Sequence, residues 1–187
     1  MSAGETIDAT DHDLLMAVKG RLHEKISKLE SDGLVMICDE PIPPDAYFPR
    51  GELCCSVAVT DGVFDKANYQ GGGANVLTEK KQLVVTVFSR VKIDQPPRAQ
   101  NALLDTQRGM LTAYKPQVLL AILIDDPAAD ILSPWEPMKD GKAILRESIA
   151  PDRCRGPIQV PNNPDWLGMS LYFDVEFDWN LRTPITE

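Results

Sequence analysis

Residues 78–94 constrain the fold more than any other stretch of this chain. Leu83, Val85, Val87 and Val91 fall on one side of an extended backbone, and Val84, Thr86, Phe88 and Arg90 on the other. The spacing predicts a long strand, apolar on both sides near its middle. Seventeen extended residues would span about 56 Å at roughly 3.3 Å each, against the roughly 5–6 residues of an ordinary strand. The Lys80–Lys81 end is therefore expected to project beyond the domain body, as an awkward edge or an assembly arm. The segment just before it, Gln70-Gly71-Gly72-Gly73-Ala74-Asn75, reads as a mobile loop. It lacks the Gly-x4-Gly-Lys-Ser/Thr and GxGxxG patterns that cradle phosphate. Tyr69, Gln70, Gly71, Gly72, Gly73, Asn75, Lys80 and Lys81 form the candidate subunit-interface arm.

A strand of that length needs a core to dock on, and 187 residues with 43% apolar side chains provide one domain's worth. A single domain over 1–187 is expected, with 1–9 as a loose arm. The chain holds 19 Lys and Arg against 28 Asp and Glu, a formal net charge of −9, which argues against a basic nucleic-acid binder. No run approaches the roughly 18 apolar residues of a membrane helix, and the N-terminus carries no basic-then-apolar signal pattern. The chain is expected to be soluble and unsecreted, with no membrane partner.

Around the long strand the pattern alternates between helix and sheet. Thr10 with Asp13 three residues later fits a helix N-cap, and Leu14, Leu15, Val18, Leu22, Ile26 and Leu29 recur at helical spacing, predicting a helix over about 11–31. Residues 34–38 read as a short strand. Four prolines within 39–51 imply an extended loop, and 53–59 resume strand character. After Pro96-Pro97 a second helical region is split by Pro116 into helices over about 98–113 and 116–125. The second of these is apolar nearly all round, so it is expected to be deeply buried. Residues 127–165 read as a long irregular insertion with one short strand at 143–149. Residues 167–181 alternate strictly, with Leu171, Phe173, Val175, Phe177 and Trp179 inward and Asp174, Glu176 and Asp178 outward. The expected class is α+β: a mixed, mostly antiparallel sheet with a long projecting β-hairpin, packed against an N-terminal helix and a Pro-broken central helix pair.

Few residues suggest chemistry. Cys38, Cys54, Cys55 and Cys154 have no CxxC spacing, and vicinal Cys54 and Cys55 point to opposite faces of a strand. Free, mostly buried thiols are expected. His12 and His23 lie about 16 Å apart along one helix and cannot share a metal. The carboxylates Asp174, Glu176 and Asp178 sit about 6.6–7 Å apart along one strand face, a spacing found in inverting glycosidases. No facing acid or aromatic sugar platform accompanies them, so they read as an acidic channel or solvent face. Trp135, Trp166 and Trp179 read as a rim contact, a loop anchor and a core residue. There is no GxSxG elbow. No catalytic residue, metal ion or cofactor is expected.

The order of elements is informative as a whole. An amphipathic helix, a strand and a proline-rich loop lead into Cys55-Ser56-Val57-Ala58-Val59 and Gly62-x-Phe64, then into Val84-Val85-Thr86-Val87-Phe88-Ser89-Arg90. Asp94, Leu103-Leu104-Asp105, Gly109-Met110-Leu111, a Leu-rich segment and a terminal Leu171-x-Phe173 follow. Over residues 12–181 this order resembles the tail terminator and tail completion (neck) proteins of long-tailed bacteriophages. The resemblance implies a homo-oligomer, a hexameric ring that ends the tail tube and meets the head–tail connector or stopper. It implies a place in the virion after assembly in the host bacterial cytoplasm, and passage of DNA without specific binding. No catalytic residue carries over, since the family has none. The added length at 127–165 fits a terminator or another neck component. An enzyme or small-ligand protein, and a baseplate or type VI secretion-like assembly part, are the alternatives.

Overall fold

A computed structural model describes residues 10–29, 34–41, 53–65, 76–90, 97–161 and 163–180. In chain order these form helix α1 (Asp11–Lys25), a 3-10 turn (Ser27–Leu29), strands β1 (Val35–Ile37), β2 (Leu53–Val59), β3 (Val63–Phe64) and β4 (Val76–Arg90), and helix α2 (Pro97–Leu123). Strands β5 (Met138–Lys139), β6 (Lys142–Ala143), β7 (Ala150–Val160) and β8 (Asn163–Asn180) follow. The main sheet runs β1-β2-β4-β8-β7, with β3 also paired to β4. Among the described strands of this sheet only β1 with β2 is parallel; the other pairings are antiparallel. This is the α+β class with a mixed, mostly antiparallel sheet. Among the described residues no helix is long and apolar enough to cross a membrane.

The long strand is the axis of the sheet. Val76 pairs with Asn180 and each following residue of β4 pairs in turn with β8, ending at Arg90 with Trp166. On its other edge β4 pairs with β2 only from Leu83 to Ser89, so the Val76–Gln82 half runs on past β2 by about 23 Å. That half does not stand clear of the body as a bare arm at Lys80–Lys81. β3 pairs with Glu79 and Lys80, and the Arg146 N–H donates to the Glu176 carbonyl along β8. The chain crosses from β2 to β3 at Gly62, where a Cβ would lie 2.1 Å from Glu79 Oε1. The connection between β3 and β4 lies outside the described residues, as do 91–94 and 1–9.

Both faces of the sheet are packed. Cys55, Val57, Leu83, Val85, Val87, Leu171, Phe173 and Phe177 join the core beneath α1 and α2. On the opposite face Cys54, Phe88, Val160 and Trp166 make a smaller cluster. Cys54 and Cys55 do part to opposite faces, and burial pushes the Cys54 thiol up to about 12 and the Cys55 thiol higher still. Cys154, by contrast, is exposed. Trp135 and Trp166 are buried, whereas Trp179, expected in the core, is only half-buried.

Helix α1 begins as expected. Thr10 and Asp13 form a reciprocal capping box. It stops at Lys25 rather than near 31, because Ile26 turns extended and Leu29 reaches the core from the 3-10 turn. The apolar spacing continues past the helix because the turn buries the same face. α2 is one continuous helix through Pro116, which corrects the split expected there. Leu111, Tyr114, Val118, Ala121 and Ile122 keep one buried stripe across the proline. Pro116 and Thr112, whose carbonyl loses its partner, both lie on the exposed side, where water substitutes for the missing N–H. The end of the helix is therefore not buried all round: Leu120 is 47% exposed.

The largest correction concerns 127–165. Its second half is not an irregular insertion but β7, eleven residues long, paired antiparallel with β8. The short strand expected over 143–149 is reduced to β6, paired with β5 across Asp140-Gly141, both at positive φ. β7 escapes the strand pattern because it is an edge: nearly every residue is exposed, and Pro151, Pro157 and three register shifts interrupt it.

Candidate functional site

The face of the β4–β8 ladder turned away from the helices carries the expected acidic stripe, but each acid meets a partner across the strand. Register places Thr78 opposite Asp178, Lys80 opposite Glu176 and Gln82 opposite Asp174. The Thr78 hydroxyl donates to Asp178 at 2.9 Å, and Arg146 lies 3.7 Å from the same carboxylate. Lys80 Nζ is 3.2 Å from Glu176 Oε1, and the Glu176 hydrogen bond raises the lysine pKa. Gln82 donates to Asp174 at 3.3 Å and to Asp152 of β7 at 2.8 Å. The stripe is thus a cross-strand polar ladder. Of the two residues that complete it, Arg146 lies in the short strand expected over 143–149 and Asp152 in the stretch read as irregular. No period in the sequence marks them.

Lys81 sits on the other face. Its ammonium lies 2.8 Å from Asp11 and 3.3 Å from Glu79, and 5.7 Å from the centre of the Phe177 ring. It is a packed link between strand and helix, not an exposed arm residue. Tyr69, Gln70, Gly71, Gly72, Gly73 and Asn75 lie outside the described residues. What the structure adds to them is β3, the edge strand leading toward that segment. Val63 is 72% exposed and Phe64 49% exposed.

The hollows of the described surface include a groove beside α1 and a recess on the opposite face of the sheet. A groove of about 790 Å³ runs between α1, at Ala17 and Gly20, and the 133–138 segment. Arg21 forms its inner wall and donates from Nε to the Ala121 carbonyl at 3.1 Å and from NH2 to the Ile124 carbonyl at 2.8 Å. Its guanidinium also contacts the Asp125 carbonyl and lies 5.4 Å from the Trp135 ring centre. These partners cap the end of α2 and leave Arg21 little to offer a ligand.

The second hollow, about 370 Å³, opens on the sheet face opposite the helices, between Thr86, Ser170, Tyr172, Arg155, Ile158 and Val160. Its floor is the Thr86–Ser170 hydroxyl pair, 2.9 Å apart. One hydroxyl hydrogen lies between the two oxygens, so the other is left to point elsewhere. Arg155 pairs with Ser170 through the backbone ladder, and among the described residues its side chain makes no ion pair or hydrogen bond.

Among the described residues no group of three or more His, Cys, Asp or Glu side chains converges to hold a metal ion. His12 is exposed on α1, and both ring nitrogens of His23 are buried without a hydrogen-bond partner among the described residues. Neither a protein-family model nor a curated protein matches the sequence.

Proposed function

We propose that this chain is a structural subunit of a long-tailed phage or prophage, assembling into a ring that terminates the tail tube and joins it to the head–tail connector. The observation that carries the reading is the strand β3, at the edge of the described sheet, which exposes Val63 on one face and Phe64 on the other at the overrunning end of the sheet. An exposed apolar edge is a template for a second chain. The α+β sheet and the resemblance in element order support the same reading. In the ring, Lys80 and the acids of β8 form a polar wall past which DNA moves without sticking, helped by the formal charge of −9.

Light scattering of the full chain, followed by imaging of the particles, tests this. The expected result is a closed oligomer that binds tail-tube or connector protein, with association weakened by Val63→Asp and Phe64→Asp together. A monomer that binds neither partner overturns the reading.

The recess at Thr86 and Ser170 favours one rival, a small-molecule-binding protein, since it combines apolar walls with a few polar groups. That rival requires a compound that raises the melting temperature and is blocked by filling the recess.

A further inference from the structure

The loop between α2 and β5 is built like a knob. Residues 125–133 are closed at their base by the Ile124–Pro134 bridge, by the Asp125 N–H donating to the Ser133 carbonyl at 2.9 Å and by the Trp135 N–H donating to the Leu123 carbonyl at 3.1 Å. Arg21 holds the same base from α1 through the Ile124 and Asp125 carbonyls. Within the loop Asp126 accepts from the Ala128 N–H at 2.9 Å. The tip nevertheless presents Ile131 at 85% and Leu132 at 57% exposure. A short loop pinned at its base and ending in two bare aliphatic side chains is pre-organised for a partner, because its ordering cost is met within the monomer.

We propose that this knob docks into the recess at Thr86 and Ser170 of a second copy of the chain, so that each ring contact is knob into socket. The inference rests on the assembly reading above and names the surfaces that meet. The recess offers Ile158 and Val160 as apolar walls, of which Ile158 is itself 38% exposed. Its rim carries Arg155, without a side-chain partner among the described residues, and Arg153 stacked 4.4 Å from the Tyr172 ring centre. The knob carries Asp126 and Asp130 beside its apolar tip. Acid meets guanidinium around an apolar centre; among the described residues the recess side carries the carboxylates of Glu40 in its lining and of Asp152, already paired with Arg153 at 3.4 Å.

The placement also fixes the symmetry. The knob leaves α2 on the helix-bearing side, while the recess lies on the opposite face of the sheet. A knob and socket on opposite sides make a head-to-tail contact, which propagates into a ring when the rotation closes.

The test compares wild type with a knob variant, Ile131→Asp with Leu132→Asp, and a socket variant, Arg155→Asp. All three side chains are exposed, so unchanged melting curves should confirm intact folds. Each variant should associate at least tenfold more weakly than wild type by sedimentation. Mixed in equal amounts, the two variants should form heterodimers and nothing larger, because one intact knob and one intact socket remain between them. Asp130→Arg combined with Arg155→Asp in one chain should recover association. Wild type that stays monomeric at millimolar concentration overturns the assembly reading and this contact together. Wild type that associates alongside equally associating variants overturns the contact alone. So does a variant mixture that fails to pair, or a small molecule retained in the recess while Arg155→Asp leaves association unchanged.

Discussion

Lys81 Nζ lies 2.8 and 3.0 Å from the two carboxylate oxygens of Asp11, seventy residues away in sequence. This contact joins the first turn of α1 to the overrunning half of β4, and Glu79 and Phe177 complete the pocket around the ammonium. Glu79, only 7% exposed, also accepts from Trp179 Nε1 at 2.9 Å. Its charge is therefore held by groups from two strands.

Replacing Lys81 with Met should cost about 2 kcal/mol, below the roughly 3–5 kcal/mol for breaking a fully buried pair, because Asp11 remains half in solvent. Asp11→Asn should cost less than half as much. Burial alone would lower the lysine pKa, but the Asp11 and Glu79 carboxylates outweigh it and raise it above 10.5. Its contribution is therefore complete below pH 10.5 and lost as the pH climbs through the raised folded value. Urea titrations at alkaline pH should show wild type losing stability where Lys81→Met does not. Parallel curves would show that the ammonium contributes nothing.

Asp13 makes a prediction at the acid end. The Thr10 backbone N–H, then Lys139, hold its pKa down to about 2 against an ordinary 3.8. A depressed carboxylate contributes stability above its unfolded pKa and loses it as the pH falls through the folded one. The window is thus about pH 4 to 2. Asp13→Asn should cost about 1 kcal/mol at neutral pH, as expected for a cap, and should flatten the acid limb of the stability profile across that window. An unchanged limb would show that the capping box and the Lys139 pair are not formed in solution.

The three acids of β8 should differ in rank. Asp178 accepts from the buried Thr78 hydroxyl and lies beside Arg146, so alanine there takes away that hydroxyl's acceptor, though Arg146 still donates to its oxygen, and should cost about 1–2 kcal/mol. Glu176 meets a half-exposed lysine, and Asp174 a glutamine that keeps a second partner in Asp152. Each of those should cost under about 1 kcal/mol. Chemical denaturation of the three variants checks the order, and a larger loss at Asp174 than at Asp178 would contradict the register.

That ladder shows what the sequence could and could not disclose. The alternation of residues 167–181 was legible because one side of β8 packs against a core and the other meets polar groups. The identity of the partner strand was not, since pairing across β4 joins residues about a hundred positions apart. β7 was illegible for a different reason. An exposed edge has no buried face to impose a period, and its prolines read as loop. Pro116 misled in the opposite sense: the proline rule assumes a carbonyl left unsatisfied, yet this one faces water. The knob at Ile131 and Leu132 had no signal at all, because two aliphatic residues in a loop become notable only once their exposure is known.

His23 makes the last prediction. Among the described residues neither of its buried ring nitrogens has a hydrogen-bond partner, although each is a donor or an acceptor in any form of the ring. Each is a polar group taken from water without return, at a cost of about 1–3 kcal/mol. An apolar side chain of similar reach removes that cost, so His23→Leu should leave the fold unchanged and raise stability by about 1 kcal/mol. Thermal and urea melts of the single variant measure it. A loss of stability would mean that the imidazole has a partner in solution, and that α1 is seated differently against its neighbours.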